Sequence, residues 1–165
     1  MKVDVQVALR LDVKVEGAVP PKGIQHVVQE ADPGFDPGPA RTVQVDLLFA
    51  NEDEALALFE TDDLAVAVDG LRTRTRLAAI TRSARGSLLA GDGEVVSIPA
   101  LPVEKVVDTT GAGDQYAAGV MYGLAAGQPL ESCGRLGAMA AAEVISHFGP
   151  RPQVSLRELA AREGL

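Results

Sequence analysis

Cysteine and excess basic charge are scarce in this chain, and the short motifs that mark many phosphate-handling and hydrolytic proteins are missing. Cys133 is the only cysteine. That excludes an intramolecular disulfide and a thiolate cluster for a structural metal, and it fits a reducing interior. Acidic side chains outnumber basic ones, 23 to 15, for a net charge of -8. A nucleic-acid surface needs a cationic footprint against the phosphate backbone, and an anionic bilayer needs one as well, so neither nucleic acid nor membrane is expected as a partner. No apolar run approaches a membrane span and the first residues show no basic-then-apolar leader pattern, so a soluble, cytoplasmic protein is expected. There is no Gly-x-x-x-x-Gly-Lys-Ser/Thr loop, Gly111-x-Gly113 lacks the third glycine of a dinucleotide fingerprint, and no serine sits in a Gly-x-Ser-x-Gly elbow. Repeats and low-complexity tracts are absent too.

What is present is enough for one ordinary core and short for two: 165 residues, 47% of them hydrophobic. Residues 1–41 read differently from the rest. Val3, Val5, Val7, Leu9, Leu11, Val13 and Val15 alternate with mostly polar neighbours, the period-two pattern of a strand with one wet face. A strand that long is expected to bend or break. Pro20-Pro21, Pro33-Gly34, Pro37-Gly38 and Pro39 then mark a loop or linker. We therefore divide the chain into a divergent segment, 1–41, and a main region, 42–165.

The main region alternates strand and helix patterns, which predicts an α/β fold. Val45 to Ala50 has strand length, and Asn51-x-x-Glu54 opens an amphipathic run through Phe59. Asp62 is expected to cap a second helix carrying Leu64, Val68 and Leu71 on one face. Leu77 to Thr81 reads as a strand and 82–86 as a turn. Gly91-Asp92-Gly93 reverses Ser87–Ala90 into Glu94–Ile98 as a β-hairpin. Ala117, Val120, Met121 and Leu124 mark the buried stripe of a helix that stops at Gly127. Pro129 opens another helix, with Leu130, Cys133, Leu136, Ala140 and Val144, and Ser155-x-x-Glu158 caps a short last one.

Between the hairpin and that stripe lies Asp108-Thr-Thr-Gly-Ala-Gly-Asp114. Here residue types make sense as chemistry before they make sense as packing. The first amides of a helix lack carbonyl partners, the peptide dipoles place positive charge there, and glycines let an anion approach the backbone. A carboxylate beside an anion site is wasteful for binding alone. It becomes useful if a hydroxyl must lose a proton as it attacks phosphorus.

That stretch resembles the C-terminal signature of the PfkB (ribokinase-like) carbohydrate and nucleoside kinases. Asn51-x-x-Glu54 after a strand resembles the family's Asn-x-x-Glu element, and Ala79-Ile80-Thr81-Arg82-Ser83 with Gly86 resembles its nucleotide-side turn. Phe148-Gly149-Pro150-Arg151-Pro152 after a small-residue helix is similar to the bacterial adenosine-kinase-like branch. The resemblance covers about residues 43–165. It implies an incomplete ribokinase-like, Rossmann-like three-layer fold, because family members are longer. Their N-terminal half, with a Gly-Gly motif, acceptor-binding residues and a β lid, is expected to have no counterpart here.

For chemistry, the resemblance implies ATP-dependent phosphoryl transfer to an alcohol group of a sugar or nucleoside. Asp114 would be the general base, and the Gly111, Ala112 and Gly113 amides would form the anion hole. Asn51 and Glu54 would hold Mg2+ mostly through water. Thr81, Arg82, Ser83, Gly86 and Thr110 would lie along the nucleotide, and Ala140, Ala141 and His147 would face the adenine.

Each assignment has a plainer rival. An acid in a first helical turn stabilises the dipole, Asn51 with Glu54 is also a capping box, 81–86 is also an ordinary turn, and His147 also offsets its helix's negative end. Two other readings of the whole chain stay open. One is a nucleotide-binding fragment that cannot phosphorylate because the acceptor half and lid are missing. The other is a product whose long amphipathic strand drives association, in the simplest case as a homodimer.

Overall fold

The computed structural model describes residues 8–9, 45–91 and 93–165. The α/β reading holds. The strands are β1 (Ala8–Leu9), β2 (Val45–Asn51), β3 (Thr75–Thr81), β4 (Ser87–Gly91) and β5 (Glu94–Ile98), neighbours in that order in one sheet. β1 pairs antiparallel with β2 in the register Ala8 to Leu48 and Leu9 to Leu47. The remainder of the predicted N-terminal strand and the Pro/Gly-rich segment lie outside the described residues. Contacts gather the described residues into two compact units: those up to Ile80 with those of Ala90–Glu94, and Thr81–Leu89 with Val95–Leu165.

In the first unit, β2 buries Leu47, Leu48 and Phe49 and runs straight into helix α1 (Glu52–Leu58). The junction is a reciprocal capping box. Asn51 Oδ1 accepts the Glu54 N–H at 2.8 Å, and Glu54 Oε2 accepts the Asn51 N–H at 2.7 Å. Helix α2 (Leu64–Arg72) is capped by Asp63, whose Oδ1 accepts the Ala65 N–H at 2.8 Å. The sequence pointed one residue earlier, to Asp62. Thr61 Oγ1 accepts the Asp63 N–H at 3.1 Å, and this local turn delays helix entry by one position. Ala67, Val68 and Leu71 form the buried face of α2. The Phe59 ring lies against Gly70 and carries the Arg74 guanidinium 4.6 Å from its centroid. β3 buries Leu77 to Ile80 but begins at Thr75, because Thr75 and Arg76 extend the strand without entering the core.

The second unit is built on helices α3 (Ala112–Ala125), α4 (Leu130–Ile145) and α5 (Leu156–Arg162). α3 and α4 meet backbone to backbone. A Cβ added at Gly119 would stand 2.5 Å from the Leu136 carbonyl oxygen, and one at Gly137 would stand 2.8 Å from that of Tyr116. Glycine is therefore required on both sides of the crossing. The buried face of α3 is Tyr116, Ala117, Val120 and Gly123, turned from the expected stripe, whose Met121 and Leu124 are only half-buried. The reason is the glycine seam, which brings Tyr116 and Gly123 inward. The Tyr116 hydroxyl donates to or accepts from Ser87 Oγ at 2.8 Å in the core. α5 starts where Ser155 Oγ accepts the Glu158 N–H at 3.3 Å, and it packs Leu156, Leu159 and Ala160 against Leu136 and Met139 of α4.

Candidate functional site

The corner at residues 108–114 takes its shape from three local features. Asp108 Oδ1 accepts the Thr110 N–H at 2.9 Å, so the carboxylate folds its own chain into a turn. Gly111 then adopts φ 80°, ψ 0°, the left-handed conformation that favours glycine, and serves as the N-cap of α3 without any side-chain cap. A segment from the far end of α4 closes over the turn. The Gly149 N–H donates to Asp108 Oδ2 at 3.1 Å, Gln115 Nε2 donates to the Pro150 carbonyl at 3.1 Å, and a Cβ on Gly111 would stand 2.5 Å from Pro150 Cβ.

This arrangement decides which amides remain for a ligand. The Ala112 N–H turns back on the Thr109 carbonyl at 3.2 Å, and the Gln115 N–H is taken by Gly111 at 2.9 Å. Among the described residues, the N–H groups of Gly111, Gly113 and Asp114 have no acceptor. Of the expected Gly111, Ala112 and Gly113, the Ala112 N–H is thus already engaged, and the Asp114 N–H stands free beside the other two. Gly113 and Asp114 are exposed, and nothing lies within 4 Å of a Cβ built on Gly113. A patch of free amide donors at the positive end of a long helix, beside an exposed carboxylate, is suited to hold an anion and receive a proton.

Electrostatics separate the acids of the corner by role. The Thr110 backbone N–H, then that of Gly149, hold the Asp108 carboxyl below the usual carboxylate range, with lesser help from the Thr110 side chain and His147. Asp108 is a structural anion. Asp114 makes no such bonds to the backbone. Beneath the corner, burial pushes the Tyr116 phenol up to about 12, partly opposed by its hydrogen bond to Ser87, so it stays neutral.

The other expected residues are distributed as follows. Thr81 and Arg82 are half-buried, Ser83 is exposed at φ 51°, and Gly86 at φ 82° passes so close to the Ile98 carbonyl that no side chain fits. Arg82 Nη2 donates to the Arg85 carbonyl at 3.2 Å and to Ser97 Oγ at 3.4 Å, while its buried Nε has no partner among the described residues. Thr110 belongs to the Asp108 turn. Ala140 is completely buried, so it has no surface to offer an adenine; Ala141 is half-buried. The correction at Ala140 follows from packing, since the consecutive run Leu136 to Ala140 is buried on every side of α4. His147 has both ring nitrogens engaged, Nδ1 with the Phe148 carbonyl at 3.2 Å and Nε2 with Glu143 Oε1 at 3.1 Å. In the other unit, Asn51 and Glu54 are committed to their capping box. Among the described residues, no group of three or more His, Cys, Asp or Glu is placed to hold a metal ion.

Residues 24–156 match the description pfkB family carbohydrate kinase. The chain belongs to this family. The cytidine kinase of Thermococcus kodakarensis is 40% identical over 109 residues, 64% of this chain and 39% of that protein. The solved adenosine kinase of Sinorhizobium meliloti is 50% identical with a TM-score of 0.69, over 73% of this chain and 37% of its own. A ribokinase of Arabidopsis thaliana, solved with ribose and ATP, is 27% identical with a TM-score of 0.64, over 72% of this chain and 40% of its own. The chain thus carries part of a ribokinase-like fold and spans well under half the length of these pfkB relatives. No helix among its described residues is long and apolar enough to cross a membrane.

Asp108, Gln115, Glu143 and the Tyr116–Ser87 pair escaped the sequence reading. Asp108 left a local signal, the Asp-x-Thr turn pattern at 108–110, and Glu143 with His147 left the i, i+4 spacing of one helix face. The Gln153 partner of Glu143 and the partners of Gln115 and Tyr116 lie 10 to 35 residues away, beyond any spacing rule.

Proposed function

We propose that this chain supplies the nucleotide-binding and catalytic part of an ATP-dependent kinase that phosphorylates an alcohol group of a sugar or nucleoside. The observation that carries this is the open corner: acceptor-free amides of Gly111, Gly113 and Asp114 next to the exposed Asp114 carboxylate, in a chain of the pfkB family. The amides would receive the non-bridging oxygens of the transferred phosphoryl group, and the helix dipole would stabilise their charge. Asp114 would take the proton of the attacking hydroxyl as its oxygen bonds to phosphorus, while the bond to ADP breaks. Proton transfer comes late in a loose transition state, so a carboxylate suffices as base.

Thr81, Arg82, Ser83 and Thr110 would line the nucleotide, with Gly86 shaping the turn. For the base, Ala141 is the small residue that retains surface. Magnesium would supply charge neutralisation on the phosphates. In the other unit, Asn51 and Glu54 stay the residues the family resemblance assigns to a hydrated ion. The test is ADP release by the purified protein with a panel of sugars and nucleosides. Acceptor-dependent release falling about 10² to 10⁴-fold in Asp114→Asn is expected; normal turnover by that variant removes Asp114 from the chemistry.

A second reading has its own observation. The chain spans 37–40% of the solved kinases named above, and the same corner would bind nucleotide without phosphoryl transfer by this chain alone. ATP binding without acceptor-dependent turnover selects it.

A further inference from the structure

We infer that Glu143 is a positioning residue for the phosphate corner, acting through residues 149–154. The inference rests on the proposed role of that corner. Glu143 stands near the end of α4 with its side chain only 7% exposed. One carboxylate oxygen, Oε1, gathers the Gln153 N–H at 2.8 Å, the Val154 N–H at 3.3 Å and His147 Nε2 at 3.1 Å. The other, Oε2, is buried without a partner among the described residues. A carboxylate taken out of water is costly unless hydrogen bonds compensate it. Here every bond it makes goes to the stretch leaving its own helix, so the carboxylate is spent on fixing that stretch.

The same stretch packs against the Asp108–Gly111 side of the corner and leaves Gly113 and Asp114 exposed. Its Gly149 N–H closes on Asp108, its Pro150 carbonyl receives Gln115, and its Pro150 ring abuts Gly111. α4 is itself immobilised against α3 by the glycine seam. Glu143 therefore ties 149–154 at one end to a rigid helix, and the other end holds Gly111 in its left-handed turn and aims the free amides. Removing the acceptor frees the Gln153 end and loosens Gly149 and Pro150 together. Glutamine keeps one acceptor oxygen and places its amide where Oε2 has no partner, so it retains the tie.

The experiment is amide hydrogen exchange by NMR on the nucleotide-free chain, comparing wild type with Glu143→Leu and Glu143→Gln. The reporters are Gly149 and Thr110, both bonded to Asp108; the controls are Val120 inside α3 and Leu159, bonded to Ser155. Glu143→Leu is expected to accelerate the reporters about tenfold or more with unchanged controls, and Glu143→Gln to stay within about threefold. Unchanged reporters, or controls that accelerate equally, overturn the inference. If Glu143→Leu does not fold, Gln153→Pro removes the 2.8 Å donor from the surface side, and unmoved exchange at Gly149 in that variant is equally fatal. ATP titration of the wild type separates the two proposals: a coupled exchange response without ATP binding refutes the phosphate role, whereas ATP binding without the coupled response refutes only the role of Glu143.

Discussion

Substituting alanine for the two glycines of the corner is expected to change stability in opposite directions. At Gly111 the φ of 80° costs an L-residue about 1 to 2 kcal/mol. The new methyl also meets Pro150 Cβ at 2.5 Å and Cα at 3.0 Å, and such overpacking costs about 1 to 3 kcal/mol. Gly111→Ala should therefore lose roughly 2 to 5 kcal/mol, or displace the 149–150 cover. Gly113 lies within α3, its φ is not positive, and its methyl would enter open space. Gly113→Ala should gain about 0.4 to 1 kcal/mol by restricting the unfolded chain. Yet that methyl sits beside the free amides, so the more stable variant should bind ATP about 10 to 100-fold more weakly, the loss of one or two charge-assisted hydrogen bonds. Urea unfolding gives the stabilities and calorimetric titration the affinities. Equal-signed stability changes, or unimpaired ATP binding by Gly113→Ala, would refute the reasoning.

Other perturbations follow from single contacts. Tyr116→Phe strands the 2% exposed Ser87 hydroxyl without its partner and should cost about 1 to 3 kcal/mol, part of which Ser87→Ala restores in the double variant; additive losses in urea melts would count against the bond. Because burial raises the Tyr116 phenol to about 12, the unfolded chain ionises first. Stability from this group is whole below about pH 10 and falls by about 1.4 kcal/mol per unit from there to about pH 12, a slope absent from Tyr116→Phe. Asp108 has the opposite sign: its lowered carboxyl contributes stability above the ordinary aspartate range, and that contribution is lost as pH falls through the lowered value. Acid melts of Asp108→Asn should lack that segment. Asn51→Ala should cost about 0.5 to 2 kcal/mol by opening the α1 cap; if Asn51 also holds magnesium, the Mg2+ requirement for nucleotide binding rises as well.

Much of the fold was legible because its signals are local. The Gly91–Gly93 hairpin, the Asn51 capping box and the glycine loop each declare themselves within a few residues, and the loop carried the family resemblance that the comparison bears out. Other elements departed from the pattern where a neighbouring side chain or distant packing overrode it. Thr61 moved a helix cap from Asp62 to Asp63, the glycine seam turned α3 toward Tyr116, and packing on every side of α4 closed Ala140 into the core. At the candidate site, the residue types were readable but the choice of amides was not. It depends on Thr109 capturing the Ala112 N–H and on Pro150 arriving from 39 positions beyond Gly111.

The most direct measurement is an ATP titration of the isotopically labelled chain, followed through its backbone amides. We predict saturable shifts centred on Gly111, Gly113 and Asp114, with Ala112 moving less because its N–H already faces Thr109. Saturation that leaves those amides unmoved, or no binding at all, would contradict the assignment of this corner to phosphate.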